Sequence, residues 1–320
     1  MNIRYVNKML RCYGLLDGVV SGVSGAHYFV QKARRKPYVR RTVFGSKMDL
    51  QTDDPGISKE LAIFRKRELE HRFILERVLH PGMTVWDLGA NVGYYALMEA
   101  RLVGEKGRVY AVEPSPANVD ALRRNVAINK MEDRIDVTPV GISNKSGTAP
   151  FHLSVQSNVN SFHPTEFRTG ERAKHLSGKV IDVPVMDVQE FIEGKRAVDL
   201  VRMDIEGHEV EVFEAIAKAV RENNFSARIL FEAHFPKYDD DKHDMRTRLR
   251  ELFDLGYRAR FMASTQEDRT HFHKRGYSPV AQIKTDGVVR GLYEHVAPED
   301  AEWFLCDVGG VRTALLEKAV

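Results

Sequence analysis

The sequence predicts an α/β fold: a doubly wound, mainly parallel sheet with helices on both faces. Three observations carry this. From residue 84 onward, short apolar runs alternate with amphipathic helical segments, the pattern of successive strand-helix-strand units. The first run enters a glycine-bearing turn, "VWDLGANVGY", of the kind that brings backbone N–H groups to a ligand at a helix start. The second run ends on an acid, Glu113, 24 residues beyond Gly89, where nucleoside-binding sheets place a ribose ligand.

The elements follow in order. Residues 1–50 form a basic N-terminal arm, partly helical, and 51–320 form the main domain. Of the 48 Lys/Arg and 45 acidic residues, ten and one respectively fall in 1–47, leaving that arm at +9 and the remainder at −6. Val6, Met9, Leu10, Tyr13, Leu16 and Val20 recur at helical spacing beside basic residues, and Lys32, Arg34, Arg35 and Lys36 follow. Two readings stand: a helix on an anionic membrane surface, or a helix packed on the body with a solvated basic face. The charge-free run 18–31 is too short and polar to span a bilayer and lacks a signal-peptide cleavage site.

"TDDPGIS" is turn chemistry, with Ser58 a candidate N-cap. Residues 59–79 read as one long amphipathic helix ended by Pro81-Gly82. Strands are expected at 84–88, 108–112, 135–142, 198–203, 228–232, 257–262 and 313–317, with helices at 93–102, 116–129 and 210–220. Residues 147–190 form an insert: two alternating stretches, "GTAPFHLSV" and "GKVIDVPVM", around a polar segment. Long polar loops in compact domains are often functional. The composition, 43% hydrophobic and 29% charged, is that of a soluble globular protein with an adequate core. Cys12 and Cys306 show no metal or redox spacing, which suits reduced thiols in a cytoplasm.

The glycine turn limits the ligand. Its Gly89-x-x-x-Gly93 spacing lacks the third glycine of a dinucleotide fingerprint, which counts against a nicotinamide-dependent oxidoreductase. Asp87 sits badly beside a pyrophosphate but suits a ligand with a cationic end. With Glu113 for a ribose diol, S-adenosylmethionine fits both. Asn91 and Tyr94 are candidates for its methionine end. Ser115 and the backbone of Gly141 and Ile142 are candidates for its adenine.

The stretches "VWDLGANVGYYAL", "VYAVEPSPANVDALRRN", "VGISNKSGTAPFHL", "VDLVRMDIEGHEVEVFEAI" and "ILFEAHF" resemble the FkbM-type family of class I S-adenosylmethionine-dependent methyltransferases. They run from about residue 84 to 235, and "DLQTDDPGISKELAIFRKRELE" and "GVRTALLEKA" extend the likeness. The resemblance implies a seven-stranded sheet of order 3-2-1-4-5-7-6 with the last strand antiparallel. It also implies O-methylation of hydroxyls on sugars and other natural products.

Methyl transfer to a hydroxyl needs alignment, exclusion of water and removal of a proton. Asp204 and His234 are the leading acid/base candidates, at the ends of the fourth and fifth strands, and Glu206 is a candidate orienter. His208 could join them or lie on a solvated face. Helix-start carboxylates are also stabilised without catalysis. Asp204, Glu206 and His234 suit a divalent ion by type but lack tight ligand spacing, and no metal is expected. Asn158, Asn160 and Ser161, with Ser157 and His163 nearby, and Glu232 could bind a glycan or glycolipid acceptor. Arg168 and Arg172 would suit an anionic one. No aromatic-basic reader motif points to nucleic acid. A cytoplasmic protein, peripheral at the inner membrane face, is the expected setting. The remaining alternative is a non-catalytic nucleoside-binding scaffold.

Overall fold

A computed structural model describes residues 3–163, 176–223, 225–238, 241 and 243–318, with side chains from residue 17 onward, Leu176 excepted. Helix α1 (Ile3–Ala33) leads into a hairpin of β1 (Tyr38–Val43) and β2 (Ser46–Gln51), then α2 (Ile57–Phe64) and α3 (Leu69–Val78). The sheet builds through β3 (Thr84–Leu88), α4 (Tyr94–Val103), β4 (Arg108–Val112), α5 (Pro116–Ile128) and β5 (Ile135–Thr138). Then comes β6 (Gly141–Ser143), the insert carries β7 (Gly147–Ser154) and β8 (Leu176–Asp187), and a short α6 (Val188–Ile192) begins at its end. Then come β9 (Leu200–Met203), α7 (Glu209–Glu222), β10 (Arg228–Glu232), α8 (Met245–Asp254), β11 (Tyr257–Ser264), β12 (Ala281–Thr285), β13 (Val288–Val296), α9 (Pro298–Glu302) and β14 (Val311–Lys318).

The main sheet has the order β5-β4-β3-β9-β10-β14-β11-β13-β12. It is parallel from β5 to β10 and antiparallel beyond. One apolar core packs α6, α7 and α8 against one face. A second packs α2 to α5 and the arm hairpin against the other. Strands β3 and β9 are wholly buried, which is why they read as mostly apolar runs interrupted only by Asp87 and Arg202.

The structure departs from the sequence expectation in four places. The sheet has nine strands because the β12–β13 hairpin extends the edge. Its turn is Asp286-Gly287, both residues at positive φ, the geometry of a tight two-residue hairpin. Second, the expected strand at 135–142 divides: β5 stays in the main sheet, while β6 turns away to pair with β8, which also pairs with β7. Third, Ser58 does not cap α2. Asp54 accepts from the N–H groups of Gly56 and Ser58, both at 2.9 Å. Fourth, the single helix at 59–79 is broken. Arg65 and Glu68 adopt left-handed φ values of 60° and 48°, and the Asp286 carboxylate takes the freed Glu68 N–H at 3.1 Å.

The arm is anchored at its C-terminal end. Tyr28 is fully buried and donates to the Thr52 carbonyl at 2.9 Å. Arg41 is buried across the junction, donating to the carbonyls of Ala62 and Ser24. Val19 and Val23 nevertheless stay 64% and 67% exposed. No helix among the described residues is long and apolar enough to cross a membrane. Arg168 and Arg172 lie outside the described residues.

Candidate active site

The turns after β3, β4 and β9 open on one cleft of about 780 Å³ including its mouth, at the carboxyl ends of the parallel strands, where such sheets bind ligands. Gly89, Asn91, Tyr94, Glu113, Gly141, Ile142, Asn158, Asn160, Asp204, Glu206 and His208 line it. Asp87, Gly93, Ser115, Ser161, Glu232 and His234 are not among its lining residues.

Local backbone geometry sets the floor. Gly89 has φ 80°, and a Cβ there would collide with the Asp204 carbonyl, so the turns after β3 and β9 touch only because residue 89 is glycine. Gly93 has φ 91°, and a Cβ would meet Leu122 Cδ1 at 2.7 Å. It therefore seats α4 on α5 rather than facing the cleft.

Glu113 is buried, with Oε2 accepting from the Asn91 N–H and Oε1 from the Ser115 N–H, both at 2.9 Å. Burial pushes its carboxyl up to about 7, against the pull of these hydrogen bonds. Oε1 also accepts from Asn118 Nδ2 at 3.4 Å, so Oε2 is the oxygen that keeps a second lone pair for a ligand donor. Asn91 does not turn its amide into open space. Its side-chain nitrogen donates to the Ser157 carbonyl at 3.1 Å, as Asn118 does at 3.2 Å. The insert is thus tied down beside the glycine turn. Asn158 and Asn160 spend their amide oxygens on the N–H groups of Ile57 and Ser154. The Tyr94 hydroxyl donates to the Arg67 carbonyl at 2.8 Å.

Asp87 requires a correction. It is fully buried and faces Arg202 Nη1 at 3.0 Å, so it cannot meet the cationic end of a ligand. Arg202, itself 1% exposed, reaches Asp204 with Nη2 at 3.2 Å and lies 4.0 Å over the Tyr95 ring. Asp87 anchors the arginine, and the arginine positions Asp204. Burial raises the Asp204 carboxyl against the opposing pull of Arg202.

His234 also sits differently from the expectation. Its Nδ1 faces the fully buried Glu209 at 3.0 Å, and Nε2 lies 3.5–3.7 Å from Glu232, Glu206 and Asp204. Burial disfavours its charge, but Glu209 and Glu206 overturn this and hold the imidazole protonated well above the usual histidine range. An imidazolium has no lone pair to receive a proton, so His234 is not a general base at neutral pH. Glu206, at positive φ, faces Lys237 Nζ at 3.1 Å. Burial would raise its carboxyl, yet His234 and Lys237 hold it at about 2. His208 is buried between Ser143 Oγ and His163 Nε2, each 3.0 Å away, and burial holds it down at about 4, neutral. The Ser161 hydroxyl donates to the Glu206 carbonyl at 2.7 Å. Glu232 pairs with Arg312.

The sequence reading missed Arg67, Glu68 and Phe162, all on the cleft wall, and Arg202. The break between α2 and α3 delivers the first two. Arg67 pairs with Glu68, which also takes Arg312 Nη2 and the Tyr95 hydroxyl, both at 2.7 Å. Arg202 was legible as a charge inside the apolar run "VDLVRM", since a buried cation needs a partner. Among the described residues, Asp204–Glu206–His234 and Glu68–Asp204–Glu232 each bring three metal-type donors together. Arg202, Lys237 and Arg312 already supply positive charge there.

A family model described as the methyltransferase FkbM domain matches residues 87–259, over half of the 320-residue chain. The chain belongs to the FkbM methyltransferase family. The matched FkbM span runs from the end of β3 into β11 and includes Glu113, Asp204 and the whole insert. Hexuronic acid methyltransferase AglP of Haloferax volcanii is 28% identical over 51% of this chain and 60% of its own length. The 31-O-demethyl-FK506 methyltransferase FkbM of Streptomyces tacrolimicus is 26% identical over 44% and 62%. The chain thus spans about three fifths of the length of these curated relatives. A solved SAM-dependent O-methyltransferase from Thermotoga maritima has a TM-score of 0.39 and 14% identity, covering 91% of this chain and 81% of that one.

Proposed function

We propose that the protein is an S-adenosylmethionine-dependent O-methyltransferase acting on a hydroxyl of a carbohydrate, glycolipid or related natural product. The observation that carries this is the FkbM match over residues 87–259, coinciding with a cleft lined by Glu113, Asp204 and Glu206. The residues fit the cofactor. Glu113 offers the second lone pair of Oε2 to a ribose diol. Val112, Val140, Ile142 and Phe162 supply apolar wall for adenine, and Asp204, Glu206 and Glu68 supply negative charge toward a sulfonium. The bound cofactor would supply an electrophilic methyl on an excellent leaving group.

The chain's own residues would do the rest. Asp204, held by Arg202, receives the acceptor proton, because burial raises its basicity. Glu206, kept ionised by His234 and Lys237, orients the hydroxyl. His234 stays protonated and fixes both carboxylates. Carbohydrate as acceptor class is supported by the hexuronic acid named for the Haloferax relative. The test is transfer of labelled methyl from S-adenosylmethionine into fractionated glycans and glycolipids, with mass spectrometry of the product. Cofactor binding without transfer to any fraction would favour the scaffold reading instead.

A further inference from the structure

Outside the carboxylate cluster, a second group of donors converges at the junction of three segments. His163 follows β7 in the insert, His208 and Glu211 sit at the start of α7, and His243 precedes α8. His163 Nε2 lies 3.0 Å from both Glu211 Oε1 and His208 Nδ1. His243 Nε2 lies 3.1 Å from Glu211 Oε2, and His208 Nδ1 lies 3.4 Å from that same oxygen. Donors around a tetrahedral zinc, with bonds of about 2.0–2.1 Å, stand about 3.3 Å apart; His163, Glu211 and His243 bring one donor each to within 4.8 Å of one another, and His208 touches this group from one side.

The outer contacts prepare the rings for a metal. His243 Nδ1 faces the Lys237 carbonyl at 2.9 Å. A carbonyl only accepts, so Nδ1 carries the hydrogen, and in the neutral ring the Nε2 lone pair points at the Glu211 carboxylate. His208 Nε2 faces Ser143 Oγ at 3.0 Å, and with its hydrogen there Nδ1 also presents a lone pair. Lone pairs converging on a carboxylate are satisfied by a cation between them, either a proton on the imidazole or a metal ion. Fixing the remote ring nitrogen in this way is how proteins orient imidazole ligands. Two imidazoles and one carboxylate suit zinc, with the His208 ring at the edge of the group.

We propose that His163, Glu211 and His243 bind a zinc-class divalent ion that clips the insert to the start of α7. Phe162, next to His163, lines the cleft and packs 4.6 Å from the His208 ring and 4.8 Å from Phe151. The ion would fix that part of the cleft wall. This site does not depend on which acceptor is methylated, nor on the proposed chemistry.

The test uses the full chain, stripped with chelator and titrated with Co²⁺ alone. The expected result is about one Co²⁺ per chain with the intense visible absorption of a tetrahedral site, displaced by Zn²⁺. His163→Ala and His243→Ala should each weaken uptake by more than the roughly 10–100-fold that altering an outer-shell partner costs. Glu206→Gln should bind Co²⁺ as the wild type does. Circular dichroism checks folding, and partly exposed His163 gives a variant that should fold if His243→Ala does not. No uptake by the folded wild type overturns the proposal and leaves a hydrogen-bonded imidazolium cluster. Uptake that survives both histidine variants, or that disappears in Glu206→Gln, overturns it by placing the ion elsewhere.

Discussion

At the residue scale, Glu113 couples ligand binding to pH. Its carboxyl is raised to about 7 in the free protein, and a ribose diol donates to the ionised form. Binding therefore strengthens as pH rises through about 7 and weakens below it, approaching tenfold per pH unit. Calorimetry with S-adenosylhomocysteine between pH 5.5 and 8.5 checks this, and Glu113→Gln should flatten the profile. Glu113→Ala should cost on the order of 1.5–3 kcal/mol of binding; unchanged affinity would remove Glu113 from the ribose site. Asp204 and His234 separate through their protonation. Asp204→Asn should lower turnover by roughly 10²–10⁴-fold, the usual worth of a positioned base, while S-adenosylhomocysteine still binds. A variant that keeps full turnover would defeat the assignment of Asp204 as base.

At the element scale, the break between α2 and α3 matters most. The run at 59–79 has helical periodicity throughout, and nothing local to it demands an interruption. The interruption is stabilised from more than 200 residues away in sequence, where Asp286 accepts the Glu68 N–H and Thr285 Oγ1 accepts the Leu69 N–H. That arrangement turns Arg67 and Glu68 into the cleft. Asp286→Ala should cost about 1–2 kcal/mol, the worth of a capping side chain, and should weaken cofactor binding as well. A denaturant titration beside the calorimetry checks both; lost stability with unchanged binding would show that the break serves packing alone. The hairpin itself was readable. "DG" between alternating stretches is a strong local hairpin signal, and the flanking residues pair across it antiparallel, Thr285 with Val288 and Ile283 with Arg290.

At the scale of the whole molecule, the arm belongs in part to the body. Tyr28 is buried against the Thr52 region, so Tyr28→Ala should destabilise the protein by about 3–5 kcal/mol, as loss of a buried aromatic does. A melting curve within a degree of wild type would show that α1 is dispensable to the core. Removing 1–47 would confound any membrane test, because β1 and part of β2 leave with it. Lys32, Arg34, Arg35 and Lys36 are exposed, and replacing them with alanine tests the anionic-surface reading cleanly. Each charge at such a surface is worth about 1 kcal/mol, so salt-sensitive binding to anionic vesicles should disappear in the fourfold variant. Equal vesicle binding by wild type and variant would exclude these four side chains.

The amino-acid sequence by itself determined the alternation of strands and helices, the turn at Gly89–Gly93 and the acid ending β4. These are written in local periodicity and in backbone positions that only certain residues tolerate. It also carried the motifs of the FkbM family. Tertiary structure decided which carboxylates face the cleft, which pair with arginine behind it, and which histidine holds a proton. Asp87 and Asp204 are both acids near strand ends in the sequence; only the position of Arg202 between them sends one inward and leaves the other on the wall. Protonation and partnership depend on distances across strands, and those distances exist only once residues far apart in the chain have been brought together.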